Sequence, residues 1–323
     1  MVQIDEISSY KLQQRPAYCK YFDNFNTIIA STYQLENFQD RSGSFVLFNN
    51  QLEKINEIKL EAGVFRFDVD NFQNNQILAS LTNGKLGFVN LENSEIKYSK
   101  KLSDGMLLNQ CQNYKCNNYT IITTDNLGGV FIVDSGKEYE IVESKVVHLL
   151  PYVKTPCEVW SCGFLKINDE NIFGTGGDDG ILKIWDKRQG LNLFIDTFET
   201  NDNSGVTFIS NSLYNENEYI VGSYDEIFRI FDIRNMKEPK NSIKLNGGIW
   251  YIEEHFIDNI QKFYCSCMYG GWNLVENNDN SLSVKISNNN HGKDLLYGVS
   301  RVNDYNIVST TFNDFTIRLE SIK

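Results

Sequence analysis

Proline and histidine are scarce in this chain, with 4 and 3 among its 323 residues. Glycine supplies 22 more turn formers, so many tight turns must rest on Asn and Asp, whose short side chains bond the local backbone. Long apolar runs are missing too. No window approaches the roughly 20 apolar residues that a membrane-spanning helix needs. The opening MVQIDEISSYKL mixes acids with apolar residues and has no uninterrupted stretch of the kind a secretory signal carries. Basic residues are the minority charge, 30 against 42 acids for a net of −12, which disfavours unspecific binding to nucleic acid or to an anionic membrane. The expectation is a soluble cytoplasmic protein with neither nucleic acid nor membrane among its partners.

Several catalytic signatures are absent as well. There is no Gly-x-Ser-x-Gly elbow, no phosphate-binding P-loop and no His-Glu-x-x-His. The cysteines number 7, an odd count that suits a reducing compartment better than a disulfide framework. Cys265 and Cys267 would share one face of a strand, and Cys111 with Cys116, or Cys157 with Cys162, are isolated pairs. None is answered by a second pair or a histidine at zinc spacing. They read as plain buried thiols, and no metal is expected.

What the chain does have is enough apolar mass for a full core, 41% of its residues. Length alone would suggest about two domains at ~150 residues each, but a repeat overrides that count. The clearest copy is GTGGDDGILKIWDKR (Gly174–Arg188), followed by VGSYDEIFRIFDIRN (Val221–Asn235). Asp186 of the first matches Asp232 of the second, a period of 46 residues. Fainter copies end at Asn49, Asn90, Asp134, Glu276 and Glu320, giving seven units. That period matches the four-stranded blade of a WD-repeat propeller, at about 40–45 residues. The predicted fold is therefore all-β, a single-domain seven-bladed WD-repeat β-propeller. Its blades end near 49, 90, 134, 186, 232, 276 and 320, and residues before Pro16 close the last blade as its outer strand.

Within the repeat, Asp179, Asp225 and Asp314 stand six residues before Trp185, Phe231 and Glu320. An Asp there is expected to hold the tight turn between the middle strands. The residue just before it (Asp178, Tyr224 or Asn313) is freer to point at the upper rim of the central channel. Trp185 reads as blade core. A generic reading stops at a propeller that binds proteins.

The ordered phrases go further. GGDDGILKIWDKR is followed by GSYDEIFRIFDIRNMKEP (Gly222–Pro239), GGIW (Gly247–Trp250), SCMYGG (Ser266–Gly271), HGKDLLYG (His291–Gly298) and TTFNDFTIRL (Thr310–Leu319). Upstream lie ASTYQLE (Ala30–Glu36) and EVW (Glu158–Trp160). In this order and spacing they resemble the WD-repeat diphthine methyl esterase family of the diphthamide pathway, a family also named for diphthine methyltransferase. The resemblance covers nearly the whole chain and is strongest from Glu158 onward.

The resemblance implies a hydrolase whose protein partner is translation elongation factor 2. Water would remove the methyl ester of methylated diphthine, leaving diphthine and methanol, with no cofactor and a monomeric enzyme. Diphthine carries a trimethylammonium group, which aromatic faces and carboxylates attract. Glu158, Trp160, Tyr224, Trp250 and Tyr269 are the candidate binding residues, with Trp272 near the same rim. Asp178 or Glu226 is a candidate base and His291 a candidate base or donor. The N–H groups of Gly247 and Gly248 could hold the oxyanion. Two departures stand out: Thr155 and Pro156, and Tyr269, occupy places where relatives tend to carry histidine. Val299-Ser300-Arg301 also replaces an Ala-Asp-Trp-like run. Catalysis then falls to the retained acids, or this homologue has weakened or lost activity. The rival reading, from another class, is a non-catalytic scaffold or substrate adaptor that binds proteins on its top face, and the bland reading of the candidate aromatics is that most of them pack between blades.

Overall fold

The computed structural model describes residues 3–36, 40–70, 75–113, 120–278, 281–292 and 294–323. Apolar runs such as Ile181–Asp186 and Ile227–Asp232 form strands buried on both faces, as continuous β-branched and aromatic stretches favour. The only helical segments among the described residues are short 3-10 turns, and none of these is long and apolar enough to cross a membrane. Seven antiparallel sheets follow one another along the chain, and they are the blades of a seven-bladed β-propeller.

The chain divides into two compact units, Met1–Phe65 with Lys244–Lys323, and Arg66–Ile243. In each, the first strands of successive blades lie against one another. Leu296–Arg301 touches Pro16–Phe22 and Tyr251–Ile257 in one unit, and Ser161–Lys166 touches Leu107–Cys111 and Val206–Asn211 in the other. The repeat ends at Asn90, Asp134, Asp186 and Asp232 coincide with the close of each blade's third strand. One more strand follows each of them, for example Glu140–Val146 after Asp134. These outer strands carry polar, exposed sequence with little apolar periodicity, so the repeat runs out before the blade does. In the last blade the outer strand is Ile4–Lys11, antiparallel to Thr316–Ile322.

Between blades the core is aliphatic and aromatic. Ile122, Val130, Val159, Phe164, Phe173 and Trp185 form one such cluster, each large side chain contributing about 1.5–3 kcal/mol by its burial. Polar groups fasten it. Trp185 Nε1 donates to Thr175 Oγ1 at 2.9 Å, and Thr175 Oγ1 faces His148 Nε2 at 2.9 Å. His148 Nδ1 in turn meets Asp179 Oδ1 and Oδ2 at 2.9 and 3.0 Å. One proton arrangement satisfies the chain: Nδ1–H donates to the carboxylate, and Nε2 accepts from the threonine hydroxyl. Indole, hydroxyl, imidazole and carboxylate thus join two strands, the preceding connection and the turn, all fully or nearly buried. Asp179 therefore holds its turn, as the repeat implied.

Burial holds the His148 pKa below its ordinary 6.5, although hydrogen bonding and attraction from Asp179 act the other way. The native ring thus refuses a proton that the unfolded chain accepts. Stability should fall as pH drops through that ordinary value, by up to about 1.4 kcal/mol per pH unit. Thermal melts between pH 7.5 and 5 should show the decline, and His148→Gln should flatten it. Thr175→Val, which keeps the shape but strands both partners, should cost about 2–3 kcal/mol in urea denaturation.

Candidate functional site

The same turn geometry that buries Asp179 turns its neighbour outward. Asp178 N donates to the Glu158 carbonyl at 2.8 Å, and the Asp178 side chain is half-buried. Trp160, the residue before the first strand Ser161–Lys166, donates from Nε1 to Asp178 Oδ1 at 3.1 Å. Tyr224 occupies the matching turn one blade on. Its ring meets the Trp160 ring edge-to-face, with centroids 6.5 Å apart and planes at 75°. Gly205 makes the approach possible. A Cβ there would stand 2.9 Å from Asp178 Oδ1 and 2.9 Å from Tyr224 Cδ2. Asp178, Trp160 and Tyr224 are thus gathered into one cluster, with Glu158 beneath it through its backbone. Among the described residues nothing donates to Asp178 Oδ2, so this oxygen is left for an incoming group.

Glu226 lies two residues beyond Tyr224, half-buried. Its backbone is left-handed, φ 69°, where the matching turn has Gly180 at φ 72°. An L residue held there costs about 1–2 kcal/mol. Glu226 N donates to Ser223 O at 3.3 Å, closing the turn.

The remaining candidates belong to the unit of Met1–Phe65 and Lys244–Lys323. Trp250 is buried, stacked on Tyr297 at 4.7 Å and edge-to-face with Phe65 at 6.1 Å. Gly247 is buried where a Cβ would lie 2.3 Å from the Cys267 carbonyl oxygen, so its connection packs against the Cys267–Gly271 turn. That turn presents Tyr269, 62% exposed. Trp272 is fully buried and donates to Glu320 Oε2 at 3.0 Å.

His291, the candidate base or donor, is drawn into the blade and not left at the surface. It is 7% exposed, with Nε2 3.4 Å from Glu320 Oε1. Glu320 stands in the repeat where Trp185 and Phe231 stand, and its buried carboxylate collects Ser309 Oγ at 2.8 Å and Asn288 Nδ2 at 2.7 Å besides Trp272. Burial alone would raise the Glu320 pKa, but His291, Ser309 and Trp272 together hold it below the ordinary carboxylate value. His291 Nε2 is buried beside this carboxylate, near it but without a hydrogen bond of its own among the described residues. Among the described residues, no three His, Cys, Asp or Glu side chains gather to hold a metal ion.

Sequence reasoning missed Phe65 and Tyr297, whose rings meet Trp250, and Tyr33 and Phe312, which link those two in turn. Tyr33, Tyr297 and Phe312 lie inside quoted motifs, but no aromatic periodicity links them. Only their common place at strand ends could have grouped them.

No family model matches the chain. A diphthine methyltransferase homolog of Dictyostelium discoideum is 28% identical over 267 residues, 76% of this chain and 71% of that protein. Diphthine methyltransferase of Homo sapiens is 34% identical over 119 residues, 36% of this chain and 25% of the human protein. Diphthine methyltransferase of Schizosaccharomyces pombe is 22% identical over 279 residues, 83% and 82% of the two chains. Fold and site together define a WD-repeat propeller that carries an acid among aromatic rings at the turn ends of its blades. Within that class, the chain is a homologue of the proteins named diphthine methyltransferase in these species.

Because Gly205 leaves no room for a methyl group, Gly205→Ala should force Asp178 and Tyr224 apart at a cost of about 1–3 kcal/mol. A lowered melting temperature, with altered indole fluorescence from Trp160, would register the displacement. An unchanged melt and spectrum would show that the cluster is looser than described.

Proposed function

We propose that this chain hydrolyses the methyl ester of methylated diphthine on translation elongation factor 2, a late step towards diphthamide. The shared name of its relatives supports a role in the diphthamide pathway. The carboxylate of Asp178 carries the finer reading: one oxygen is fixed by the Trp160 indole, the other is left open, and the Tyr224 ring stands alongside. Such a group suits both halves of the substrate. The ring faces and the negative charge attract a quaternary ammonium. The open oxygen accepts a proton from water as that water attacks the ester carbonyl.

The balance is simple. Water forms the new C–O bond, and the C–O bond to the methoxy group breaks. Methoxide leaves as methanol by taking up the proton that Asp178 had removed. The products are the carboxylate, methanol and one released proton. Trp160 keeps the carboxylate from rotating, so Oδ2 stays directed at the water. Glu226 is the second candidate acid by sequence, two residues beyond Tyr224, and His291 is assigned no step because its imidazole faces Glu320 inside the blade.

The test is incubation of the purified chain with elongation factor 2 bearing the methyl ester, followed by mass spectrometry of the modified peptide. The expected outcome is replacement of the ester methyl by a proton and release of methanol. Asp178→Asn should slow this by about 10²–10⁴-fold without unfolding the protein, and Glu226→Gln should slow it far less. Complete retention of the ester, under conditions in which an active relative removes it, would overturn the proposal. Unimpaired Asp178→Asn would remove Asp178 from the reaction.

A further inference from the structure

Between Leu149 and Pro156 the unit of Arg66–Ile243 carries a closed hairpin. An isolated antiparallel bridge joins Leu149 to Pro156. Leu150 N donates to Thr155 O at 2.9 Å, and Lys154 N donates back to Leu150 O at 3.0 Å. Lys154 takes a left-handed φ of 55° at the turn. The base is pinned as well: Cys157 N donates to His148 O at 3.3 Å, and Val147 N to Gly128 O at 2.8 Å. Backbone bonds hold this hairpin in shape, so what it exposes is fixed in place.

Its tip shows what a folded chain normally covers. Tyr152 is 89% exposed, the highest value among the large hydrophobic side chains described, and Val153 is 64% exposed. Among the described residues the Tyr152 ring has no aromatic partner, its hydroxyl has no hydrogen bond, and Lys154 has no ion pair. Lys97, Lys101 and Lys137 of the same unit each reach an acid. The hairpin is also tied to the Asp178 cluster. Its second arm runs from Pro156 through Cys157 into Glu158, whose carbonyl accepts from Asp178 N at 2.8 Å. Tyr152 stands six positions before Glu158, a span of at most about 20 Å. The hairpin base packs on the turn after Asp125, where a Cβ on Gly128 would stand 3.2 Å from Pro156 Cβ. That turn joins the second and third strands of its blade, as the turn of Asp178 does one blade on. Tip and carboxylate therefore rise from the same end of neighbouring blades.

We propose that the Tyr152–Val153–Lys154 tip is a docking knob for the folded protein whose side chain enters the Asp178 cluster, seated in an apolar recess of that protein beside a carboxylate. The inference rests on the reading of this chain as an enzyme that acts on a protein-borne ester. A reacting group attached to a protein brings the flanking protein surface over the mouth of the site. A pre-fixed tyrosine offers that surface a large contact area at little cost in conformational entropy. Lys154 adds a charge that no acid of this chain neutralises, which selects an acidic neighbour on the partner.

The full chain is tested on intact elongation factor 2 bearing the methyl ester and on a short peptide with the same ester. Binding of the intact protein is followed separately by surface plasmon resonance. Tyr152→Ser should raise both KM and Kd for the intact protein by about tenfold, as loss of an aromatic anchor does, with kcat unchanged. Val153→Ser should act the same way but less. Lys154→Glu should slow association and remove its salt dependence. Peptide turnover and melting temperature should match the parent chain in all three, because these side chains are exposed. If the intact protein binds through Tyr152 yet keeps its ester, the hydrolysis reading fails and the docking knob stands. If the intact protein is hydrolysed, and Tyr152→Ser leaves KM and Kd as in the parent, the docking knob alone is overturned. Failure of the intact protein to bind would also overturn it. So would a dimer of this chain in sedimentation that Tyr152→Ser dissolves, since the tip would then serve a second copy.

Discussion

A buried carboxylate that keeps its charge is the interaction on which the blades depend. Asp179, Asp225 and Asp314 each take the backbone N–H two residues on, from Ile181, Ile227 and Thr316 at 3.2, 3.0 and 3.2 Å. Each also faces a cation four residues on, namely Lys183, Arg229 or Arg318. Burial would raise all three pKa values, and the donors around each carboxyl more than reverse it. Because this side chain must point inward, the residue before it must point away. Asp178 and Tyr224 owe their accessibility to that alternation, so a turn-holding residue and an accessible one sit on consecutive positions.

The device tolerates substitution of its partners, within limits set by desolvation. In the blade of Trp185 the chain of bonds runs from indole through hydroxyl and imidazole to carboxylate. In the blade of Thr316–Ile322 the place of the indole is taken by a carboxylate, Glu320. A buried charge needs donors on every side, and here Trp272, Ser309 and Asn288 donate to it while His291 lies alongside at 3.4 Å. One replacement thereby sets a carboxylate beside the histidine that the sequence left available for chemistry.

The turn ends of the blades carry two different kinds of chemistry. At Trp160, Asp178 and Tyr224 the charge is negative and the rings are few, an arrangement suited to proton transfer beside a cation. Around Trp250 the rings are many, and the Arg15 guanidinium lies over Phe312 among them. The net charge of −12 describes the first and conceals the second. Overall charge limits unspecific partners, while local pairing decides what an individual surface takes.

The sequence by itself determined the seven repeats, the strand character of each, the turn Asp residues and the free position beside them. All of these are local, fixed by spacing along one strand pair. Asp178 and Tyr224 were legible for that reason, as was Trp160 from its motif. Only tertiary structure decided that the Trp160 indole reaches Asp178, that Gly205 clears the space between Asp178 and Tyr224, and that His291 turns in towards Glu320. It alone closed the aromatic circuit around Trp250 and showed that the repeat marks third strands and not blade edges. These relations join residues tens to hundreds of positions apart, brought together by antiparallel pairing and blade packing. A periodic pattern records which face of a strand is buried, but it carries no term for what the opposite wall presents.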